Sequence, residues 1–299
     1  MFSQKNFFKA IHPFEVKSSY IELDSHSPEN VFDSHTHNEC EIYINLSGDV
    51  SFVVESNIYS ITPGSIIITR PFEYHHCVYH SNKLHKHFWF LFSATGNEYL
   101  FDKFYNRKVG ENNLLMLEKD KTEELISACE KMTNGVKSEF EKYFNFFKII
   151  NLIHDATAPD RPVTLYPDIV VNAMAYINDN LSYPISVSEI SKEVNVSINT
   201  LERYFMRFLN VSPTAYIKKK RLSNAARLLS EGYSVTEASE KSGFPDCSGF
   251  ISLFRKTYGQ TPYAYKKTIK KNQHQGLKQE TIVEKSETAD SLQCRFSSV

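Results

Sequence analysis

The chain has 299 residues, 41% hydrophobic and 13% aromatic, enough for two ordinary domains with cores of their own. A formal net charge of −1 excludes a uniformly basic nucleic-acid binder. The balance is uneven, however: Val163–Lys271 carries 15 Lys and Arg against 9 Asp and Glu, and the remainder is acidic, so one region suits a polyanion and the other something else. The opening MFSQKNFFKAIHPF has no apolar run of the kind a signal peptide needs, and no stretch of about 18 apolar residues predicts a transmembrane helix. Cys40, Cys77, Cys129, Cys247 and Cys294 are odd in number and lack CxxC spacing, which fits reduced thiols and a cytoplasmic protein.

From about Phe14 to Phe92 the pattern predicts strands. EIYINLSGDVSFVVESNIYSITPGSIIITR is rich in β-branched and aromatic residues and is broken at SGD and TPGS. Short strands at this spacing predict a barrel or sandwich. HTHNECEIYINLSG sets His35, His37 and Glu41 around a strand start that ends at Gly48, and TPGSIIITRPFEYHH supplies His75 or His76. This resembles the cupin pattern, although Glu73 stands where a glycine is usual. Residues i and i+2 of a strand share a face, so His35 and His37 are expected to enter one cavity. The cluster can hydrogen-bond a small effector, ligate a divalent transition metal, or be purely structural. Tyr43, Phe72, Tyr74, Trp89 and Phe90 suit sugar stacking and equally an ordinary core. His80, His85 and His87 read as surface residues on a hairpin.

Glu118 to Ala156 switches to helical spacing. Leu125, Cys129 and Met132 form one stripe; after a break at TNG, Phe140, Phe144, Phe147 and Ile150 form another, expected to pack on the barrel. ATAPDRPVTLYPD, with three prolines, reads as a linker. Helical character resumes from Ile169 to about Lys271, and the polar remainder reads as a disordered tail.

Within that last helical region the chain nearly repeats itself. SVSEIS from Ser186 returns as SVTEAS from Ser234; the offset is 48 early in the repeat and 49 later, from Phe205 to Phe254. One residue has entered a turn, which a helix-turn-helix tolerates and a helix does not. Each copy has a Ser with Glu three residues on, a capping box, then a small residue (Ser191, Ser239) where two helices approach. Gly243 supplies unusual backbone angles, and Ser197 and Asp246 can cap the second helices. Leu201, Phe205 and Phe208 are expected inside; Asn199, Glu202, Arg203 and Met206 outside, matched by Ser248, Ile251, Ser252 and Arg255. Ser212, Pro213 and Gly232 delimit a connecting helix. Two recognition helices in successive major grooves must sit about 34 Å apart.

SVSEISKEVNVSINTLERYFMRF, RLSNAARLLSEG and VTEASEKSGFPDCSGFISLFRKTYGQTPYAYKK resemble the AraC/XylS family of bacterial transcription regulators. The signature positions are Gly243, Phe244, Phe250, Phe254, Gly259, Thr261, Pro262 and Tyr265. The resemblance implies a multidomain α+β fold: an N-terminal cupin-like β-barrel with following helices, and a C-terminal all-α domain with two helix-turn-helix units. Expected boundaries are 1–156 for sensing and dimerisation, 157–167 for the linker, 168–271 for DNA binding and 272–299 for the tail. It implies DNA contacts from Asn199, Thr200, Glu202, Arg203 and Arg207, and from Cys247, Ser248, Ile251, Ser252 and Arg255. Arg203 is the expected guanine reader, while Arg207 and Arg255 suit phosphates. Ser252 and Gly249 depart from the family's usual Arg and aromatic, so the second unit is expected to read bases weakly, with Gly249 costing up to about 1 kcal/mol of helix stability.

Effector binding is assigned to His35, His37, Glu41 and His75, with no catalytic residue, resident metal or cofactor. The expected partners are double-stranded promoter DNA, a small-molecule effector such as a sugar, a second copy of the chain, and RNA polymerase if the protein activates; no membrane is involved. The competing reading is a metal-dependent cupin enzyme with a DNA-binding appendage.

Overall fold

Alternating and continuous apolar runs in the first 115 residues condense into two antiparallel sheets. The computed structural model describes residues 15–23, 37–81, 83–135, 138–159 and 166–269. The strands are β1 (Val16–Leu23), β2 (Cys40–Ser47), β3 (Val50–Val54), β4 (Asn57–Ile61), β5 (Ile66–Thr69), β6 (His75–Tyr79), β7 (His85–Phe92) and β8 (Leu114–Leu115). One sheet runs β1-β7-β2-β5-β8 and the other β4-β3-β6. Gly48, at φ +109°, turns β2 into β3; a Cβ there would collide with the His85 ring, so only glycine fits.

Both faces of the five-stranded sheet are covered. Cys40, Ile42 and Ile44 of β2 join Phe88, Phe90 and Phe92 of β7 in a core under the helices that follow. Tyr43 and Ile67 point the other way and meet Val50, Phe52 and Val54 of the smaller sheet. Burial on two sides explains why β5 reads as an apolar run. The helices are α1 (Asp102–Tyr105), α2 (Lys119–Thr133) and α3 (Glu139–Asp155). Glu73 is buried and receives Arg107 Nη2 at 2.5 Å, the Gly110 amide at 2.8 Å and Asn113 Nδ2 at 3.1 Å. Burial pushes its carboxyl up, but Arg107 outweighs this and holds it below the usual carboxylate range. The residue in the glycine's place is thus a structural anchor.

One of the two helical stripes differs from expectation. Leu125, Cys129 and Met132 are buried as the spacing predicts, but Phe140 and Phe144 are 80% and 61% exposed. The second half of the expected stripe does pack, with Ile150 buried and Phe147 against the core, but the packed face of α3 is centred on Phe146, Ile149 and Ile153. The apolar residues of α3 fall on more than one stripe, and the position of the sheet selects one. His85 and His87 are 1% and 3% exposed, not surface groups, because alternation along β7 turns them inward; His80 alone of the three is exposed.

The C-terminal region holds α4 (Asp168–Asp179), α5 (Val187–Glu193), α6 (Ile198–Leu209), α7 (Pro213–Ser230), α8 (Val235–Lys241) and α9 (Cys247–Tyr258), with a further helical stretch at 262–269. Ser186 with Glu189 and Ser234 with Glu237 close both capping boxes. The turns span 194–197 and 242–246, so the extra residue lies in the second turn. Asn195 (φ +55°) takes the left-handed conformation in the first copy that Gly243 (φ +79°) takes in the second. Gly249 occupies the first turn of α9, where its amide is capped by Asp246 at 2.5 Å, so the penalty expected for a helix interior does not apply in full.

The first unit's core is continuous with the sensor. Val53, Ile58, Tyr74 and Val78 from the outer face of the smaller sheet pack with Val170, Met174, Leu201, Phe205 and Tyr216. Glu55, at φ +54° in the β3–β4 turn, accepts from the Tyr74 amide at 2.8 Å and pairs with the buried ammonium of Lys220 on α7. Tyr216 Oη donates to Glu55 O at 3.0 Å. The second unit has its own core of Leu222, Phe250, Phe254 and Tyr265, against which Phe72 of the β5–β6 loop packs. Much of the expected linker, and the whole 272–299 tail, lie outside the described residues.

Candidate functional site

Two surfaces carry chemistry. The first is helical. On α6, Asn199, Glu202, Arg203, Met206 and Arg207 are exposed while Leu201, Phe205 and Leu209 are buried. Phe208, expected inside, is only half-buried under the Arg207 guanidinium, 5.3 Å from its ring centre. The Thr200 hydroxyl lies 2.8 Å from Ser197 Oγ within the N-terminal cap. On α9, Ser248, Ile251, Ser252 and Arg255 are exposed and Cys247 is half-buried. The outward set of the first unit is mostly long and carries Glu202, Arg203 and Arg207; that of the second has two serines and a single charge, Arg255.

The second surface is a cavity of about 170 Å³ between the sheets, lined among others by Glu41, Tyr43, His75, Cys77, His87 and Trp89. Where Glu41 and His75 line it, Glu41 Oε2 is reached by His75 Nε2 at 3.3 Å and, from beyond the lining residues, by His37 Nε2 at 3.0 Å. The two rings meet edge to face at 5.0 Å, and Phe52 stacks on His75. Burial pushes the Glu41 carboxyl up, but the two imidazoles outweigh it and hold it well below its ordinary range; burial lowers His75, and Glu41 reverses that to a net rise.

His75, not His76, joins the cluster, because alternation along β6 turns them to opposite sides and His76 meets Tyr74 edge to face. His37 precedes β2, so it arrives by a turn and not by strand alternation, and His35 lies outside the described residues. His87, read from sequence as surface, lines the cavity; burial lowers its pKa to about 4. Cys77 lies beside the Tyr43 and Tyr79 hydroxyls, and burial pushes its thiol up, away from the thiolate. Of the expected aromatics, Tyr43 and Trp89 line the cavity, whereas Phe90 joins the core under α2 and α3, and Phe72 and Tyr74 face the C-terminal helices. Parity along β7 could have flagged His87; the Glu55–Lys220 pair left no signal. Cys40, Cys77, Cys129 and Cys247 are unpaired thiols.

The AraC-like ligand binding domain matches residues 21–100, and a helix-turn-helix domain matches residues 190–268. The chain belongs to the AraC family of transcription regulators. As an AraC-family protein it is a DNA-binding transcription regulator with a ligand-binding domain, and the enzyme reading falls away. This AraC-family chain is 26% identical over 153 residues to the Regulatory protein PocR of Salmonella typhimurium, a match spanning about half the length of each. It is 23% identical over 260 residues to the HTH-type transcriptional activator RhaS of Salmonella agona, covering 81% of this chain and 90% of that one. Among solved structures, ToxT from Vibrio cholerae is 15% identical, over 85% of this chain and 98% of that one, with a TM-score of 0.34. Among the described residues of this AraC-family regulator, no helix is long and apolar enough to cross a membrane.

Proposed function

We propose that this regulator works in the cytoplasm as a dimer, reads promoter DNA mainly through α6, and is switched by a small molecule held among His37, Glu41 and His75. Residues 1–156 sense and dimerise, 157–167 connect, 168–271 bind DNA, and 272–299 form a tail. Asn199, Thr200, Glu202, Arg203 and Arg207 face the first major-groove segment. Cys247, Ser248, Ile251, Ser252 and Arg255 face the next, with Arg255 and Arg207 on phosphates. The stacked, exposed Phe140 and Phe144 support a dimer seam on α3. If the protein activates, RNA polymerase is its further partner.

One observation carries the coupling: β3 and β6 present Phe52 and His75 to the cavity on one face, and Val53 and Val78, with Tyr74 just before β6, to the DNA-binding helices on the other. A ligand that shifts these strands shifts what packs behind them, and the same free energy links ligand to DNA. Phe72 adds a second route, since its amide donates to His37 O at 2.9 Å while its ring packs on the second unit. The test is to select bound fragments from genomic DNA, find stabilising small molecules by thermal shift, and measure fragment affinity with each. Reciprocal changes are expected; equal DNA affinity with and without every stabilising compound overturns the sensor reading.

A further inference from the structure

We infer that Arg221 on α7, with Ser182 and Gly243, sets the phase at which the two helix-turn-helix units meet DNA. The inference rests on the reading that α6 and α9 enter successive grooves. The helix α7 serves both cores: Tyr216 and Ile217 belong to the first, and Leu222, Ala225 and Leu229 to the second. One helix passing between two cores fixes their separation, but helices bend, and a small bend at the joint swings the far unit. A contact away from the helix axis removes that freedom.

Arg221 makes such a contact. Its Nε donates to Leu181 O at 3.1 Å and its Nη2 to Tyr183 O at 2.7 Å, so the guanidinium fork grips the loop between α4 and α5 of the first unit. The turn of the second unit presses on the same spot. A Cβ on Gly243 would stand 2.3 Å from Leu181 O and 3.0 Å from Arg221 Nε. Beside it, Ser182 Oγ donates across the units to Lys241 O at 2.7 Å, satisfying a carbonyl at the end of α8.

The two copies of the turn show that this contact, and not the backbone alone, demands the glycine. The amides of Asn195 and Gly243 bond three residues back, to Lys192 O at 3.1 Å and Glu240 O at 2.9 Å. Those of Val196 and Phe244 bond five back, to Ser191 O and Ser239 O. Both turn residues are left-handed, at φ +55° and +79°. Asparagine tolerates such angles, and Asn195 is exposed with room for its side chain. Gly243 has the first unit against it and no such room. Arg221 is thus a positioning residue: it acts through where α9 stands relative to α6.

The test uses the full chain and a duplex selected on it from a random-sequence pool, footprinted to locate the two protected segments. Affinity is compared for that duplex, for one lengthened by one base pair between the segments, and for one with the second segment scrambled. The added pair turns the second segment by about 35°. Lengthening should weaken wild-type binding about ten-fold. Arg221→Lys keeps the charge but not the fork, and Gly243→Asn keeps the angles but adds the Cβ. Each should cut that penalty to about three-fold or less, while affinity for the scrambled duplex stays within about two-fold of wild type. Ser182→Ala removes one exposed hydroxyl, is expected to keep the fold by circular dichroism, and should lower the penalty at least about two-fold. Asn195→Gly should leave it unchanged. Folded variants of Arg221 and Gly243 that keep the full penalty overturn the inference and leave the two-groove reading standing; if neither folds, a Ser182→Ala protein that keeps it does the same. Wild-type protein indifferent to lengthening overturns both.

Discussion

The helical units and the sensor cavity place their polar groups in opposite surroundings. On α6 and α9 the charged and hydroxyl side chains stand in water over an apolar core, whereas Glu41, His75, Cys77 and His87 in the cavity, and His37 beside it, are wholly or largely withdrawn from it. A polar group on a surface can be changed at little cost to folding, while one in the interior is part of the fold. DNA recognition should therefore separate cleanly from stability, and ligand sensing should not. The strands that line the cavity also hold the first unit, so the two regions are tied through Glu55.

The largest effect is expected at that tie. Glu55→Ala leaves the buried Lys220 ammonium without its carboxylate and should cost about 3–5 kcal/mol in urea denaturation of the full chain. A loss below about 1 kcal/mol would mean that the contact does not persist in solution and that the two regions are independent. Next is the cavity's response to acid. His87 is held neutral, its pKa lowered to about 4 from 6.5. The unfolded chain binds the proton first, so the contribution is present above pH 6.5 and is lost as pH falls toward 4. The full loss is at most about 3 kcal/mol, and His87→Gln should flatten the wild-type difference between pH 4.5 and 7.5.

Arg203→Ala should lower preference for the specific DNA site by about 1–3 kcal/mol, measured by competition binding, while unfolding stays within about 0.5 kcal/mol. A matching loss of stability would erase the distinction drawn between surface and interior. The smallest effect is expected for Ser252→Ala, below about 0.5 kcal/mol in both assays. If Ser252 mattered more than Arg203, the second unit would be the reader.

The helix-turn-helix pair was legible almost residue by residue: the capping serines, the inserted residue in the second turn, Pro213 at the start of α7, and the outward sets of α6 and α9. These signals are local. A cap, a left-handed turn and a 3.6-residue period involve groups within a few positions of each other, so the order of residues specifies them. The strands were legible as strands, but not which way their side chains faced. Parity along β6 and β7 says that neighbours oppose each other; the layers packed above and below decide which side meets Glu41, and so put His75 and not His76 in the cluster and turned His87 inward. The same held for α3, where the sheet took Phe146 and Ile149 and left Phe140 and Phe144 outside. Glu55 and Lys220 stand 165 positions apart, and only the docking of α7 on the smaller sheet made them partners. Short-range backbone chemistry wrote the DNA-binding half into the order of residues, whereas the sensor's interior waited on which surfaces the folded chain pressed together.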